Sequence, residues 1–450
     1  MLRYFPFIFM GLIGLSGYAF DRAEACPMPI DLDHTDGSVE VRAELDHRHF
    51  VSGQNNEVLT RIGLRGTTAP PPQEQLPLSL TLIIDTSGSM SGEKIRNARE
   101  SAVATLAQLR AGDRFSVVAF SSQAHVLVSQ ATIGESPMAS IRNQIFSLSA
   151  NGGTNMSQAL YVGGARAQDL YSSQHTNRIL LLSDGKPDAE NGLRDQVRAL
   201  ARQGILTTTL GIGRGYNEDL MAELADAGLA NYYFVLNASE MGRIFKEEIA
   251  SLAFVVAKEA IVILRPKNGV SVNHVFGYPF TRDGNNVVIP VGDVYSQKNI
   301  DVLARLNAPG LQGEVNLVDV EVTYHDVFAQ RAKVVSQKLG AAFTSDRMKV
   351  ASSANMYVLE KSQQVQTADV LREASGYFAR GEAKKANAMI AKQQAALRSD
   401  SDHYKDEEIR ENSASLMEDL GEMVQAAEAP AADMSVIQKR YKSRARGLKR

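Results

Sequence analysis

Asp85, Ser87 and Ser89 occupy alternate positions directly after an apolar run, and each carries an oxygen. Two more oxygen donors stand in comparable places: Thr154 within Asn151-Gly152-Gly153-Thr154-Asn155, and Asp184 within Ser183-Asp184-Gly185. Two carboxylates and three hydroxyls, without nitrogen or sulfur, make the donor set of a hard divalent cation, Mg2+ first, with Ca2+ or Mn2+ also compatible. The plainer reading is that Asp85, Ser87 and Ser89 cap the next helix and shape its turn, as such residues often do.

Only a particular arrangement of strands brings these loops together. Leu78, Leu80, Leu82, Ile83 and Ile84, with only Ser79 and Thr81 between them, read as a strand covered on both faces. Phe115–Phe120, Ile179–Leu182, Ile205–Ile212 and Tyr232–Leu236 repeat it. Between them lie helical patterns: Ile95, Ala98, Ala102, Leu106 and Leu109, then stretches near Pro137–Leu148, Met156–Leu170, Gly192–Gln203 and Glu218–Ala227. From Leu76 to about Leu252 the alternation predicts an α/β domain with a doubly wound, mainly parallel sheet. The strand-to-helix loops of such a sheet converge at its carboxyl edge.

With this order of strands, the chain resembles the von Willebrand factor A family. Asp85-x-Ser87-x-Ser89, Thr154 and Asp184 match the five positions of that family's metal-ion-dependent adhesion site, over about Leu78–Leu252 and with Gly211-Ile212-Gly213 after the following strand. The resemblance implies that Ser87 and Ser89 bind the metal directly, Asp85 through water, and Thr154 and Asp184 directly or through water according to conformation. It also implies a protein partner whose acidic side chain completes the metal shell. More loosely, Val256–Val334 is similar to the strand-rich segment after the A domain in bacterial proteins labelled calcium-activated chloride-channel-like; no channel follows from that. The animal proteins of that label resemble metalloproteases, but H-E-x-x-H is absent here.

The flanks read differently. Val39, Val41, Ala43 and Leu45, then Val58, Thr60, Ile62 and Leu64, alternate about a Ser52-Gly53-Gln54-Asn55-Asn56 turn and predict an antiparallel pair. Ala69-Pro70-Pro71-Pro72 reads as a stiff linker. Period-two patterning returns at Ile261–Leu264, Val287–Pro290, Val302–Leu306 and Val318–Val322. Two strands alone do not make a stable sheet. The expectation is therefore one antiparallel β-sandwich built from residues 26–75 and 253–340, with the α/β domain of residues 76–252 inserted between them. Residues 341–450 read as helical, with Val365–Arg380 and Glu382–Leu397 an antiparallel pair separated at Gly381. The last stretch, Lys439–Arg450, holds seven Lys or Arg. Such a tail is either solvated or drawn to anionic lipid or an acidic partner.

Arg3 followed by the apolar Phe5–Leu15 and then small residues predicts a secretory signal peptide over residues 1–25, cleaved after Ala19 or Ala25; a membrane anchor is the other reading. Export to a bacterial periplasm or cell envelope, or secretion, follows from the first. Cys26 is the sole cysteine of the 450 residues, so no intramolecular disulfide forms. Next to the leader it is either a lipidated N-terminus, giving peripheral membrane attachment, or a free thiol. A net charge of −3 points away from a nucleic-acid partner.

For function, the sequence favours an exported scaffold or adhesion protein over an enzyme. A metal-dependent hydrolase wants a general base, and no histidine lies near the three loops. A purely structural ion is the third reading. Gly211-x-Gly213-x-Gly215 lacks the last glycine of a dinucleotide fingerprint, and Met90 stands where a nucleophile elbow needs serine. His47 and His49 share one side of a predicted strand, where strand-face polarity competes with a second metal site. Asp188 reads as a solvated loop carboxylate that could at most tune the site's rim.

Overall fold

The computed structural model describes residues 37–67, 76–184, 187–212, 217–235, 243–244, 248, 254–401 and 407–426. The leader, Cys26, the proline linker and the basic tail lie outside the described residues.

One sheet carries the loops of interest. Its strands are β4 (Leu78–Asp85), β5 (Arg114–Phe120), β6 (Ala124–Thr132), β7 (Thr176–Ser183), β8 (Ile205–Ile212) and β9 (Tyr232–Val235), in spatial order β6-β5-β4-β7-β8-β9. All neighbours run parallel except β5 and β6. Every residue of β4, β7 and β8 is buried, because helices cover both faces. On one face, Ile95, Ala98 and Ala102 of α1 (Glu93–Leu106) and Ile141 and Ile145 of α2 (Met138–Phe146) pack on Leu80, Leu82, Val117 and Leu180. On the other, α3 (Met156–Leu170), α4 (Leu193–Ala201) and α5 (Glu218–Ala227) pack on Ile83, Ile179 and Leu181. Helix α3 approaches β4 closely enough that a Cβ on Gly163 would lie 2.3 Å from Ile83 Cδ1.

The edge strand β6 was not foreseen from sequence. It is antiparallel and largely solvated, whereas the inner strands β4, β7 and β8 are buried along their whole length.

The flanking strands form the expected sandwich. β1 (Val39–Leu45), β3 (Asn56–Gly66), β14 (Asn299–Ala308) and β11 (Ser271–Phe276) make one sheet, in that order. β12 (Thr281–Asp283), β13 (Asn286–Tyr295), β10 (Val255–Pro266), β15 (Gly313–Asp326), β16 (Arg331–Thr344) and β2 (His49–Val51) make the other. The segment before the α/β domain is woven into the segment after it: β3 pairs with β14 through Ile62↔Val302 and Leu64↔Ile300. Val41, Ile62, Val262, Ile289, Val302 and Val322 meet in the shared core. The last strand runs to Thr344, past the expected boundary at 340, because β15 and β16 form one long antiparallel ladder reaching Gly313↔Phe343.

The helical region also differs from expectation. Its first long helix spans Met356–Ala379 and starts nine residues before Val365, capped by the Asn355 side chain on the Val358 amide. Those early turns rest on the sandwich, where Val358 and Val365 contact Leu59, Phe276 and Leu303. A third helix, Glu407–Ala426, joins Ala383–Ser401 and the first through Leu371, Ile390, Leu416 and Leu420. No helix among the described residues is long and apolar enough to cross a membrane.

Candidate metal centre

The strand order reverses at β4: the chain proceeds from it to β5 on one side and to β7 and β8 on the other. At such a switch point the loops leaving adjacent strands diverge and open a crevice at the carboxyl edge. Asp85 ends β4, and Ser183 ends β7 beside it with Asp184 just beyond, since Ile84 pairs with Leu182.

The side chains there form a chain of hydrogen bonds. Asp85 is fully buried; its Oδ1 accepts the Ser87 amide at 2.8 Å and its Oδ2 accepts the Ser183 hydroxyl at 2.6 Å. Ser87 Oγ lies 3.0 Å from Ser89 Oγ, and Ser89 Oγ donates to Asp184 Oδ1 at 2.8 Å. A short 3-10 turn, Gly88–Met90, brings Ser89 round, anchored by the fully buried Met90 side chain. Burial holds the Asp85 carboxyl above its ordinary value of 3.8, against the Ser183 and Ser87 hydrogen bonds that pull it down, and the nearby Asp184 charge adds to the rise.

Thr154 is the one predicted residue not hydrogen-bonded directly to the other four. Its loop is stitched to theirs through the backbone: Gly88 N donates to Gly152 O at 3.0 Å, and Asn151 N to Thr86 O at 2.8 Å. Gly152 has φ +74, and a Cβ there would lie 2.8 Å from Ser122 Oγ, so this turn needs glycine. Asn155 then caps α3 by accepting from the Gln158 amide.

Three further residues belong to the site. Ser183 holds Asp85, as above. Asp188 is the exposed loop carboxylate expected and also reaches the site's rim: both its oxygens lie 3.3 Å from the Thr154 amide, and its own amide donates to Thr154 O at 3.0 Å. Lys94, in the first turn of α1, reaches Asp184 Oδ2 with its ammonium and donates to Ser89 O at 3.1 Å. The position of Ser183 next to Asp184 was a usable clue in the sequence; nothing in the spacing pointed to Lys94.

The donors fit a hard cation. All five predicted groups offer oxygen, four of the residues are linked one to the next by hydrogen bonds, and a buried carboxylate raised above its ordinary range is what a cation relieves. A cation already touches the set in the form of the Lys94 ammonium. Among the described residues no cluster of three or more His, Cys, Asp or Glu forms, so His47 and His49 gather no such partners. His47 instead bonds Asp46 and meets the Phe50 ring edge-on.

A mainly parallel sheet between helix layers, with a hydroxyl-rich acidic crevice at its switch point, defines an interaction domain of the von Willebrand factor type A class, and the family model of that domain matches residues 79–247. The chain thus carries a von Willebrand factor type A domain, a module that mediates protein–protein interaction and adhesion.

Among sequence relatives, the uncharacterised protein YfbK of Escherichia coli is 28% identical over 54% of this chain and 44% of its own length. The uncharacterised protein sll0103 of Synechocystis is 25% identical over 59% of this chain and 66% of its own. Pig inter-alpha-trypsin inhibitor heavy chain H4 is 29% identical over 30% of this chain and 15% of its own. The match therefore spans less than two thirds of each of these relatives. A von Willebrand factor type A protein from Catenulispora acidiphila shares the fold over 89% of this chain and 93% of its own, with a TM-score of 0.69 at 17% identity. The ArnB paralog VWA2 from Sulfolobus acidocaldarius does so over 91% and 99%, with a TM-score of 0.61 at 20% identity. The likeness in fold extends well beyond the α/β domain.

Proposed function

We propose that this protein grips an acidic side chain of a partner protein through a divalent cation, Mg2+ first, held by Asp85, Ser87, Ser89, Thr154 and Asp184. The observation that carries the reading is the hydrogen-bonded run Asp85–Ser87–Ser89–Asp184 at the switch point of the sheet. Bound there, the cation would supply a strong positive point with exchangeable positions for an outside oxygen.

The chain's own residues do the rest. Ser183 and the Ser87 amide fix Asp85, so its carboxylate needs no reorientation. Hydroxyl donors neutralise little of the cation's charge, which leaves attraction for a partner carboxylate. Asp188 sets the Thr154 loop. No histidine stands among these residues to act as a base, so the geometry serves holding better than turnover. The leader-like segment would put this grip outside the cytoplasm, in a periplasm or envelope, with lipidated Cys26 or the basic tail as membrane attachments.

Asp85→Ala tests the reading. Wild-type protein should gain thermal stability on adding Mg2+ and lose it with chelator, and should capture envelope proteins only with the cation present. The variant should fold, show no Mg2+ response and capture none of them. Identical capture by wild type, variant and chelated wild type would sink the proposal, and turnover of generic esters would favour a hydrolase instead.

A further inference from the structure

We infer that Lys94 is a working part of this centre: its ammonium weakens the hold on the divalent cation and strengthens the hold on the partner's carboxylate, so that the two bind as a pair. The inference rests on the metal reading above.

The placement of Lys94 is not explained by its helix. It is the second residue of α1, and a cation in the first turn opposes the helix dipole. What it touches is the site: its Nζ donates to Asp184 Oδ2 and, at 3.1 Å, to Ser89 O. The Asp184 side chain has no exposed surface, whereas that of Lys94 is 36% exposed. The ammonium therefore covers the carboxylate from the solvent side, where a partner's acidic group must arrive.

Formal charges give the sign. Asp85 and Asp184 with Lys94 leave the centre at minus one; a divalent cation takes it to plus one, and an incoming carboxylate to zero. Without the lysine the same three states are minus two, zero and minus one. Asp188, one step outward through the Thr154 amide, adds the same charge to every state and leaves the difference unchanged. Lys94 thus opposes a second cation and favours an anion once that cation is present. By linkage, if carboxylate tightens cation binding, cation tightens carboxylate binding by the same factor.

The test uses full-length protein, Mn2+ affinity by electron paramagnetic resonance, and acetate as the carboxylate at constant ionic strength. Lys94→Gln should tighten Mn2+ about tenfold without acetate, within the usual range of coupling between sites. Acetate should tighten Mn2+ in wild type and do so less in the variant, while Lys94→Arg, which keeps the charge, should behave as wild type. Weaker or unchanged Mn2+ binding by Lys94→Gln overturns the inference, since a lysine that merely positions Asp184 would be missed by the metal. An undiminished acetate effect overturns it equally. Absence of Mn2+ binding by wild type is a different result: it removes the metal reading itself. Should Lys94→Gln not fold by circular dichroism, Lys94→Met decides by the same two measurements.

Discussion

Strand β7 carries a buried charge near each end, and the two ends are built on opposite plans. At its carboxyl end, Ser183 and Asp184 join a group of oxygens that face one another and a single lysine. At its amino end, about 20 Å away for six residues of strand, Arg178 is buried against the sandwich; it donates to Asp293 Oδ2 at 3.2 Å and to the Tyr295 hydroxyl at 2.9 Å. Beside it the buried Lys258 donates to Ser173 O at 3.0 Å and His175 O at 2.6 Å. Burial raises the Asp293 carboxyl despite Arg178 and Lys258, and pushes the Tyr295 hydroxyl up to about 12. Both ends hold desolvated charge, but the amino end, the lower one, matches cation to anion across two domains, whereas the carboxyl end, the upper one, leaves oxygens converging on a shared point. A buried carboxylate alone does not mark a site. Oxygens from three loops converging on one point do.

The largest effect should come from breaking the lower end. Arg178→Met leaves Asp293 buried without its partner and should cost about 3–5 kcal/mol of stability in denaturant titration. Mn2+ affinity of the folded fraction should not change, because the two ends share no side chain. Arg178→Met with Asp293→Leu should recover most of the loss, since apolar replacements for a buried pair are often neutral. A single-variant loss under 1 kcal/mol, or a coupled loss of Mn2+ binding, would erase the contrast between clamp and site.

The same contrast explains what was legible in the sequence. Strands β4, β7 and β8 announce themselves because full burial favours apolar residues, as at Leu82–Ile84, Ile179–Leu182 and Ile205–Leu206. The five oxygens were legible because each follows a strand or glycine loop, so topology alone brings their loops to one edge. Pairings between distant positions were not: Lys94 meets Asp184 across 90 residues, and Arg178 meets Asp293 across 115. Neither lysine nor arginine has a local pattern that names its partner. Asp188 is exposed as expected, but its contact with the Thr154 amide was hidden for the same reason, since that loop lies 34 residues away. Strand β6 and the early turns of Met356–Ala379 escaped because one is a half-exposed edge and the other takes its burial from the sandwich.

A smaller effect is expected from the upper end's supporting residue. Asp188→Ala removes the acceptors of the Thr154 amide while touching none of the other four oxygens. Both contacts are long at 3.3 Å, so the loss in Mn2+ affinity should sit near about tenfold, the low end for an outer partner of a metal site. Thermal stability without metal should hardly move. Unchanged affinity would mean that the backbone bonds from Gly88 to Gly152 and from Asn151 to Thr86 hold the Thr154 loop without Asp188.

The smallest effect is a pH dependence confined to the lower end. His175 lies 3.0 Å from Ser79 Oγ, and burial holds its pKa below the ordinary 6.5, helped by the Arg114 and Lys258 charges and opposed by Asp113. The unfolded chain therefore takes up this proton at a higher pH than the folded one. Stability from this group is full above 6.5 and is lost as pH falls through the lower folded value. Denaturant titrations from neutral to mildly acidic pH should show wild type losing more stability than His175→Gln, which cannot take the proton. Mn2+ affinity, corrected for each protein's folded fraction, should show no difference between the two at any of these pH values, because the histidine sits at the opposite edge of the sheet from Asp85 and Asp184. A histidine-dependent change in Mn2+ affinity would mean that the clamp and the grip communicate along β7, and the two ends would then be one device.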